Sequence, residues 1–149
     1  MITLRVADIK DYEEIVAMYK ELVKEVFKGF ELGEDIFFYG IVSNWFKEGK
    51  DVVVSVDNET LTGFSLAYVE DLGMVKPYYQ GDIIYVKDEY RKGRSAYLLY
   101  NNGVDYADSK GLPIIAKAYV GGVNKIDKIM DRFGEPLFVE YKRLPKLKG

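Results

Sequence analysis

A short basic segment lies between an apolar run and a helical pattern. The basic residues are Arg91, Lys92 and Arg94, with Gly93 between them. Two small residues, Ser95 and Ala96, follow at the predicted start of the helix. A helix N-terminus carries unpaired N–H groups and about half a unit of positive charge, which suits phosphate. Gly93 would let the chain turn, and Ser95 and Ala96 would let a ligand come close. A solvated basic loop that only precedes a helix explains the same residues equally well.

The composition excludes several kinds of chemistry. Among 149 residues there is no cysteine and no histidine, which removes cysteine nucleophiles, Ser-His-Asp catalysis and imidazole or thiolate metal ligands. Acid–base chemistry is left to Asp, Glu, Tyr, Lys or water. A net charge of -3 disfavours nucleic-acid binding, and no apolar run is long enough to span a bilayer. Since the absence of cysteine is compatible with a reducing cytosol, we expect a cytoplasmic protein without nucleic-acid or membrane partners.

Hydrophobic periodicity indicates the elements that would position the basic loop. Alternating and β-branched runs predict strands, and apolar residues at helical spacing predict helices. Strands are expected at 2–6, 51–56, 60–69, 82–86, 114–119 and 137–141, with helices at 9–26, 34–47, 95–109 and 123–133. Asp8 is placed to cap the first helix, with Asp11 in the capping-box position. The order β-α-α-β-β-β-α-β-α-β predicts one α/β domain over residues 1–149, with a mixed sheet whose later strands pair in parallel.

The segment YVKDEYRKGRSAYLLY resembles the acyl-CoA motif of the GNAT (GCN5-related) acetyltransferases. In that motif a strand ending in Tyr-Val leads to Arg/Gln-x-x-Gly-x-Gly/Ala and an apolar helix. Without gaps, Arg91 falls on the first motif position, Arg94 on the first glycine and Ala96 on the last, so Gly93 comes one residue early. Three further segments resemble the family's first strand and helix, its central hairpin, and its last helix and strand: ITLRVADIKDYEEIVAMY, DNETLTGFSLAYVED and VNKIDKIMDRFGEPLFVEYKRL.

The resemblance covers essentially the whole chain and implies a GNAT fold that transfers acetyl from acetyl-CoA to an amine by direct attack. In the family, the fourth and fifth strands splay apart after a bulge, and the pantetheine arm pairs with the exposed edge of the fourth strand. Ile84 and Val86 would offer those backbone groups, with the pyrophosphate at residues 91–96 and one amide polarising the thioester carbonyl. A GNAT-fold module that binds CoA or a protein partner without turnover is the alternative. The acceptor amine stays unassigned, and a homodimer is compatible with either function.

Asp82 and Tyr119 are the candidate catalytic residues. Period-two alternation places Asp82 on the face of Ile84 and Val86, where it would accept the proton of the amine; an aspartate that only caps the strand entrance explains it at least as well. Many family members protonate the leaving thiolate with a tyrosine in the last helix, and Met130 falls at that position here. Tyr119, at the end of the fifth strand, is the substitute by proximity, with edge packing as the plainer explanation.

The predicted second helix carries a cluster of aromatic residues. In the resembling family this helix borders the acceptor, so the cluster would line an acceptor pocket. Clusters of this kind more often belong to the hydrophobic core. The residues are Phe37, Phe38, Tyr39, Trp45 and Phe46.

Overall fold

A computed structural model describes residues 1–117 together with 128, 130–132, 134–135, 137, 141 and 143–146. Its elements are β1 Ile2–Val6, α1 Tyr12–Val26, α2 Asp35–Lys47, β2 Asp51–Asp57, β3 Thr60–Glu70, β4 Tyr78–Val86, α3 Ser95–Ser109 and β5 Ile114–Ala116. Short 3-10 turns precede α1 and follow β4. The predicted order is confirmed through β5. The helix expected at 123–133 and the strand at 137–141 fall mostly outside the described residues.

The five strands form one mixed sheet in the order β1-β2-β3-β4-β5. The first three pairings are antiparallel, and β4 pairs with β5 in parallel, Tyr79–Gly81 lying against Ile114–Ala116. A parallel pair needs a crossover connection, and α3 supplies it. The predicted α/β class and the adjacency of the fourth and fifth strands are thereby confirmed.

Helices cover both faces of the sheet. On one face α1 and α2 bury the larger core, in which the Trp45 ring stacks on Phe64 with centroids 6.1 Å apart. On the other face α3 packs Leu99 and Tyr100 against Val86 of β4. Within the described part of the chain, no helix is long and apolar enough to cross a membrane.

The start of α1 is held by a buried carboxylate. Asp11 accepts hydrogen bonds from both terminal nitrogens of Arg5, at 2.7 and 2.9 Å, and from the Asp8 N–H at 2.9 Å. Asp8 in turn accepts from the Lys10 N–H, so the predicted capping box is confirmed. The hydrogen bonds from Arg5 hold the pKa of Asp11 below its usual range, because they favour the charged carboxylate.

The strand β4 is longer than predicted and contains a bulge. It begins at Tyr78 rather than Asp82, because the buried Gln80 and the intervening Gly81 interrupt the apolar pattern without interrupting the pairing. In the β3–β4 register Leu66 lies opposite Ile83 and Ala67 lies opposite Gly81, so Asp82 is an extra residue in the ladder. Such a one-residue insertion bends its strand locally.

Candidate functional site

The second half of β4 has an edge to which the described residues supply no strand. β5 reaches only Tyr79–Gly81. The Lys87 N–H donates to the Thr62 carbonyl of β3 at 2.8 Å, so the backbone of Lys87 faces β3. Because backbone groups point alternately to the two sides of a strand, those of Val86 and Ile84 point away from β3. An extended ligand could add to this edge as a further strand.

The loop after β4 takes a path that does not depend on glycine. The Gly93 N–H donates to the Tyr90 carbonyl at 3.1 Å, which closes the turn. Gly93 is not among the glycines with a positive φ, and a Cβ at this position would lie 3.4 Å from the Tyr90 oxygen, an ordinary contact. Gly93 therefore lies in the turn, as expected, but the turn does not require the conformational freedom of glycine.

The N-terminus of α3 is open to an anion. The helix starts at Ser95, and no side chain in the described residues caps it. Its first backbone bond runs from the Leu98 N–H to the Arg94 carbonyl at 2.9 Å, so the first three helical N–H groups have no intrahelical acceptor. Lys92 and Arg94 are exposed beside them. Two exposed cations and three N–H groups without an intrahelical acceptor suit a phosphate.

Arg91 is oriented differently from its two basic neighbours. Its side chain is only 7% exposed, and its guanidinium donates to the Val86 carbonyl at 2.8 Å and to Glu25 of α1 at 2.7 Å. The guanidinium also lies 5.4 Å from the centre of the Tyr85 ring. The sequence predicts Arg91 as a phosphate ligand, but its side chain is engaged inside the protein, where it ties the loop to β4 and α1.

The hydroxyl of Ser95 is also turned inward. Ser95 Oγ lies 3.0 Å from Thr62 Oγ1, which lies 2.7 Å from Ser55 Oγ, and all three side chains are buried. This chain of hydroxyls joins β2, β3 and the first turn of α3. Ala96 is buried beside it. A ligand at this helix end would therefore meet the backbone N–H groups of both residues rather than their side chains.

Asp82 lies on the bulge and faces α1. Its carboxylate pairs with Lys117 Nζ at 2.8 Å. Burial and, second, the charge of Asp82 raise the pKa of Tyr19 in α1, whereas Ile84 and Val86 belong to the cluster packed against α3. The prediction that Asp82 shares a face with Ile84 and Val86 is thus wrong, because the bulge breaks the alternation between residues 81 and 83.

Of the two positions considered for protonating the thiolate, the structure describes Met130 but not Tyr119. Tyr119 lies outside the described residues. Met130 is described and packs, partly buried, against the cluster of Val86, Ala96, Leu99 and Tyr100. Its thioether has no proton to donate. Among the residues that the structure describes, no group of three or more acidic side chains is arranged to hold a metal ion.

Solved structures resemble this architecture over nearly the whole chain. A possible acetyltransferase from Clostridium difficile 630 is 15% identical, with 99% of each chain covered and a TM-score of 0.76. A predicted acetyltransferase from Clostridium acetobutylicum, solved with acetyl-CoA, is 15% identical, with 97% of this chain and 96% of that chain covered and a TM-score of 0.75. An aminoglycoside acetyltransferase from an uncultured soil metagenomic sample, in complex with sisomicin, is also 15% identical, with 97% of each chain covered and a TM-score of 0.67. The chain has the GNAT acyltransferase fold.

Comparisons based on sequence find no match for this chain. No protein-family model matches the chain. No curated protein matches it either. At identities near 15%, the likeness to the solved structures shows the fold and leaves the activity to be argued from the site.

A cleft of about 290 Å³ opens in this GNAT fold between α1, the loop after it and α2. The aromatic cluster of α2 divides there: Phe38 and Trp45 are buried, whereas Phe37 is 62% exposed at the cleft. The contribution of α1 and its loop was not predictable from the sequence, because Gly29 indicates a helix end and the apolar residues around it show no pattern of their own. The lining residues are Tyr19, Val23, Phe27, Phe30, Glu31, Leu32, Gly33, Phe37, Phe38 and Ile41.

Proposed function

We propose that this protein is an acyl-CoA-dependent N-acyltransferase that transfers acetyl from acetyl-CoA to an amine. One observation carries the proposal: the N-terminus of α3, which no described side chain caps and beside which Lys92 and Arg94 are exposed, follows β4, whose second half is paired on one side only by the described strands. A ligand with a pyrophosphate at one end and an amide-containing arm at the other matches both features. A structural neighbour solved with acetyl-CoA supports this choice of cosubstrate.

In the proposed complex the pyrophosphate lies against the first N–H groups of α3 and the side chains of Lys92 and Arg94. The pantetheine arm extends along the backbone of Ile84 and Val86. Because the Val86 carbonyl already accepts from Arg91, the Val86 N–H is the group left to bond the arm or to polarise the thioester carbonyl. Arg91 is a positioning residue in this scheme, since it fixes the loop and touches no ligand.

The chemistry is a direct attack by a neutral amine. The amine nitrogen bonds to the thioester carbon, the carbon–sulfur bond breaks, and CoA leaves as a thiolate. The surplus proton of the amine passes to Asp82, directly or through water, and the thiolate takes a proton from Tyr119 or from solvent. Asp82 is suited to this role by its position on the bulge, two residues before Ile84, with Lys117 balancing its charge.

The test of the binding step is titration calorimetry with acetyl-CoA. Losing one charge-assisted contact costs about 1.5–3 kcal/mol, so Arg94→Ala should weaken binding about 10- to 100-fold. Lys110→Ala removes one positive charge at the opposite end of the same helix and is the matched control, with unchanged affinity. Equal affinity of the Arg94 variant and the wild type would refute the pyrophosphate site.

A CoA-binding module without turnover is the second candidate function. Met130 favours it, because a thioether has no proton to give to a leaving thiolate. Release of free CoA thiol from acetyl-CoA, measured with a panel of amines, separates the two functions. Amine-dependent release supports the transferase, and acetyl-CoA binding without any release supports the module.

A further inference from the structure

The cleft between α1 and α2 has the chemistry of a binding site for a small apolar amine. We infer that the acceptor is a primary amine with an aromatic or branched aliphatic body and no acidic group, and that it binds in this cleft. The inference rests on the proposed function, which it narrows to one class of acceptor.

The apolar side chains that line the cleft favour an acceptor with an apolar body. Phe27, Phe30, Phe37 and Ile41 line the cleft and are 41%, 44%, 62% and 40% exposed, so they form one contiguous apolar surface. Soluble proteins rarely leave such a surface uncovered without a function. The volume of about 290 Å³ lies just below the range of roughly 300–1,000 Å³ for ligand pockets. A small molecule fits this volume, and an oligosaccharide or a folded partner does not.

The charged residues at the cleft favour an acceptor with one positively charged group. Glu31 is the acidic residue of the described lining, and it makes no ion pair with any other residue in the described part of the chain. No lysine or arginine is among the described lining residues, and nearby Lys20 is paired with Asp35. A carboxylated or phosphorylated acceptor would therefore find no lysine or arginine among the described lining residues. One carboxylate complements one ammonium group, so the charges favour a monoamine over a polyamine.

One lining residue of the cleft, Tyr19, is also influenced by the charge of Asp82. Asp82 stands on the bulge of β4, beside the strand edge at which the acetyl group would lie. The cleft and the proposed reaction centre therefore share the neighbourhood of Tyr19.

The first experiment compares acceptors that differ in one property. 2-Phenylethylamine and 3-methylbutylamine have an apolar body and one amine, phenylalanine adds a carboxylate, and spermidine replaces the body with further amines. We expect kcat/KM for 2-phenylethylamine to exceed those for phenylalanine and spermidine at least tenfold. The measurement is CoA thiol release, with calorimetry of each amine in the presence of CoA as a readout independent of turnover.

The second experiment uses matched surface variants. Phe37→Ser should lower kcat/KM and affinity for 2-phenylethylamine about tenfold while sparing acetyl-CoA affinity, because the ring loses its contact with the ligand body. Ile36→Ser is the control, since Ile36 is 70% exposed and is not a lining residue. Glu31→Gln should weaken 2-phenylethylamine similarly, with Glu34→Gln, outside the lining, as its control.

The outcomes separate this inference from the proposed function. Acetyl transfer that prefers spermidine or phenylalanine, or that is indifferent to Phe37→Ser, overturns the acceptor class and leaves the transferase standing. Binding of 2-phenylethylamine that depends on Phe37 without any transfer supports the ligand class and refutes the transferase. Failure of 2-phenylethylamine to bind or react overturns the inference.

Discussion

Arg91→Ala should behave as a stability mutation, although Arg91 belongs to the basic loop proposed to bind pyrophosphate. Its guanidinium donates to the Val86 carbonyl and to Glu25, and it lies over the Tyr85 ring. Truncation to alanine removes these contacts, and a longer ion pair with the exposed Asp88 at 3.4 Å, from a side chain that is 7% exposed. The Val86 carbonyl loses its partner, whereas Glu25, one-third exposed, can take up water.

The magnitude follows from these contacts. A charge-assisted hydrogen bond contributes about 1.5–3 kcal/mol, and breaking a buried ion pair costs about 3–5 kcal/mol. Because Glu25 can rehydrate, we expect the free energy of unfolding to fall by about 3 kcal/mol. For a chain of 149 residues this corresponds to a decrease in Tm of about 6–12 °C.

The assay is urea and thermal unfolding followed by tyrosine and tryptophan fluorescence. A double-mutant cycle with Glu25→Ala should give a coupling energy of about 0.5–3 kcal/mol. Lys92→Ala, one residue along and exposed, is the control and should unfold like the wild type. If Arg91→Ala kept the wild-type Tm but lost acetyl-CoA affinity, the guanidinium would be a ligand contact, and the assignment of a positioning role would be refuted.

Two further predictions concern carboxylates. Asp82→Asn should lower the transfer rate about 10²–10⁴-fold with acetyl-CoA affinity unchanged. The loss of rate should be smaller at higher pH, where more of the amine is already neutral. An equal loss of rate in Lys117→Met would instead assign a structural role to the Asp82–Lys117 ion pair. Asp11→Asn should reduce the free energy of unfolding by about 2 kcal/mol near neutral pH. Because the folded pKa of Asp11 is lowered, this contribution is present above the unfolded pKa of about 3.9 and disappears as the pH falls through the folded pKa. The free energies of unfolding in urea of the wild type and Asp11→Asn should therefore converge in acid and differ near neutral pH.

The element order was predictable because each helix and strand carries its own hydrophobic period. The bulge was not, since it depends on the register between β3 and β4, and the pattern of one strand does not contain that register. Arg91 and Arg94 likewise look alike in the sequence. Their difference comes from Glu25, which lies 66 residues from Arg91 along the chain and meets it only in the folded protein.

For a related reason the sequence predicted the α2 side of the cleft but not the side formed by α1 and its loop. The aromatic residues of α2 drew attention as a group, yet whether each belongs to the core or to the cleft depends on which neighbours cover it. Phe38 is buried against Tyr19 with ring centroids 5.9 Å apart, whereas the adjacent Phe37 is largely uncovered. The lining from α1 and its loop, including Phe27 and Phe30, becomes a surface only when α2 packs alongside.

The extra residue in β4 reverses the parity of the strand. Before it, the odd-numbered Tyr79 packs on the side of α3; after it, the even-numbered Val86 does so, and the odd-numbered Ile83 and Tyr85 enter the opposite core. Deleting Asp82 would leave every other β3–β4 pair in place while removing the bend. A sequence alignment that closes a gap at this position would therefore keep the other β3–β4 pairs in register and hide the residue that bends the strand.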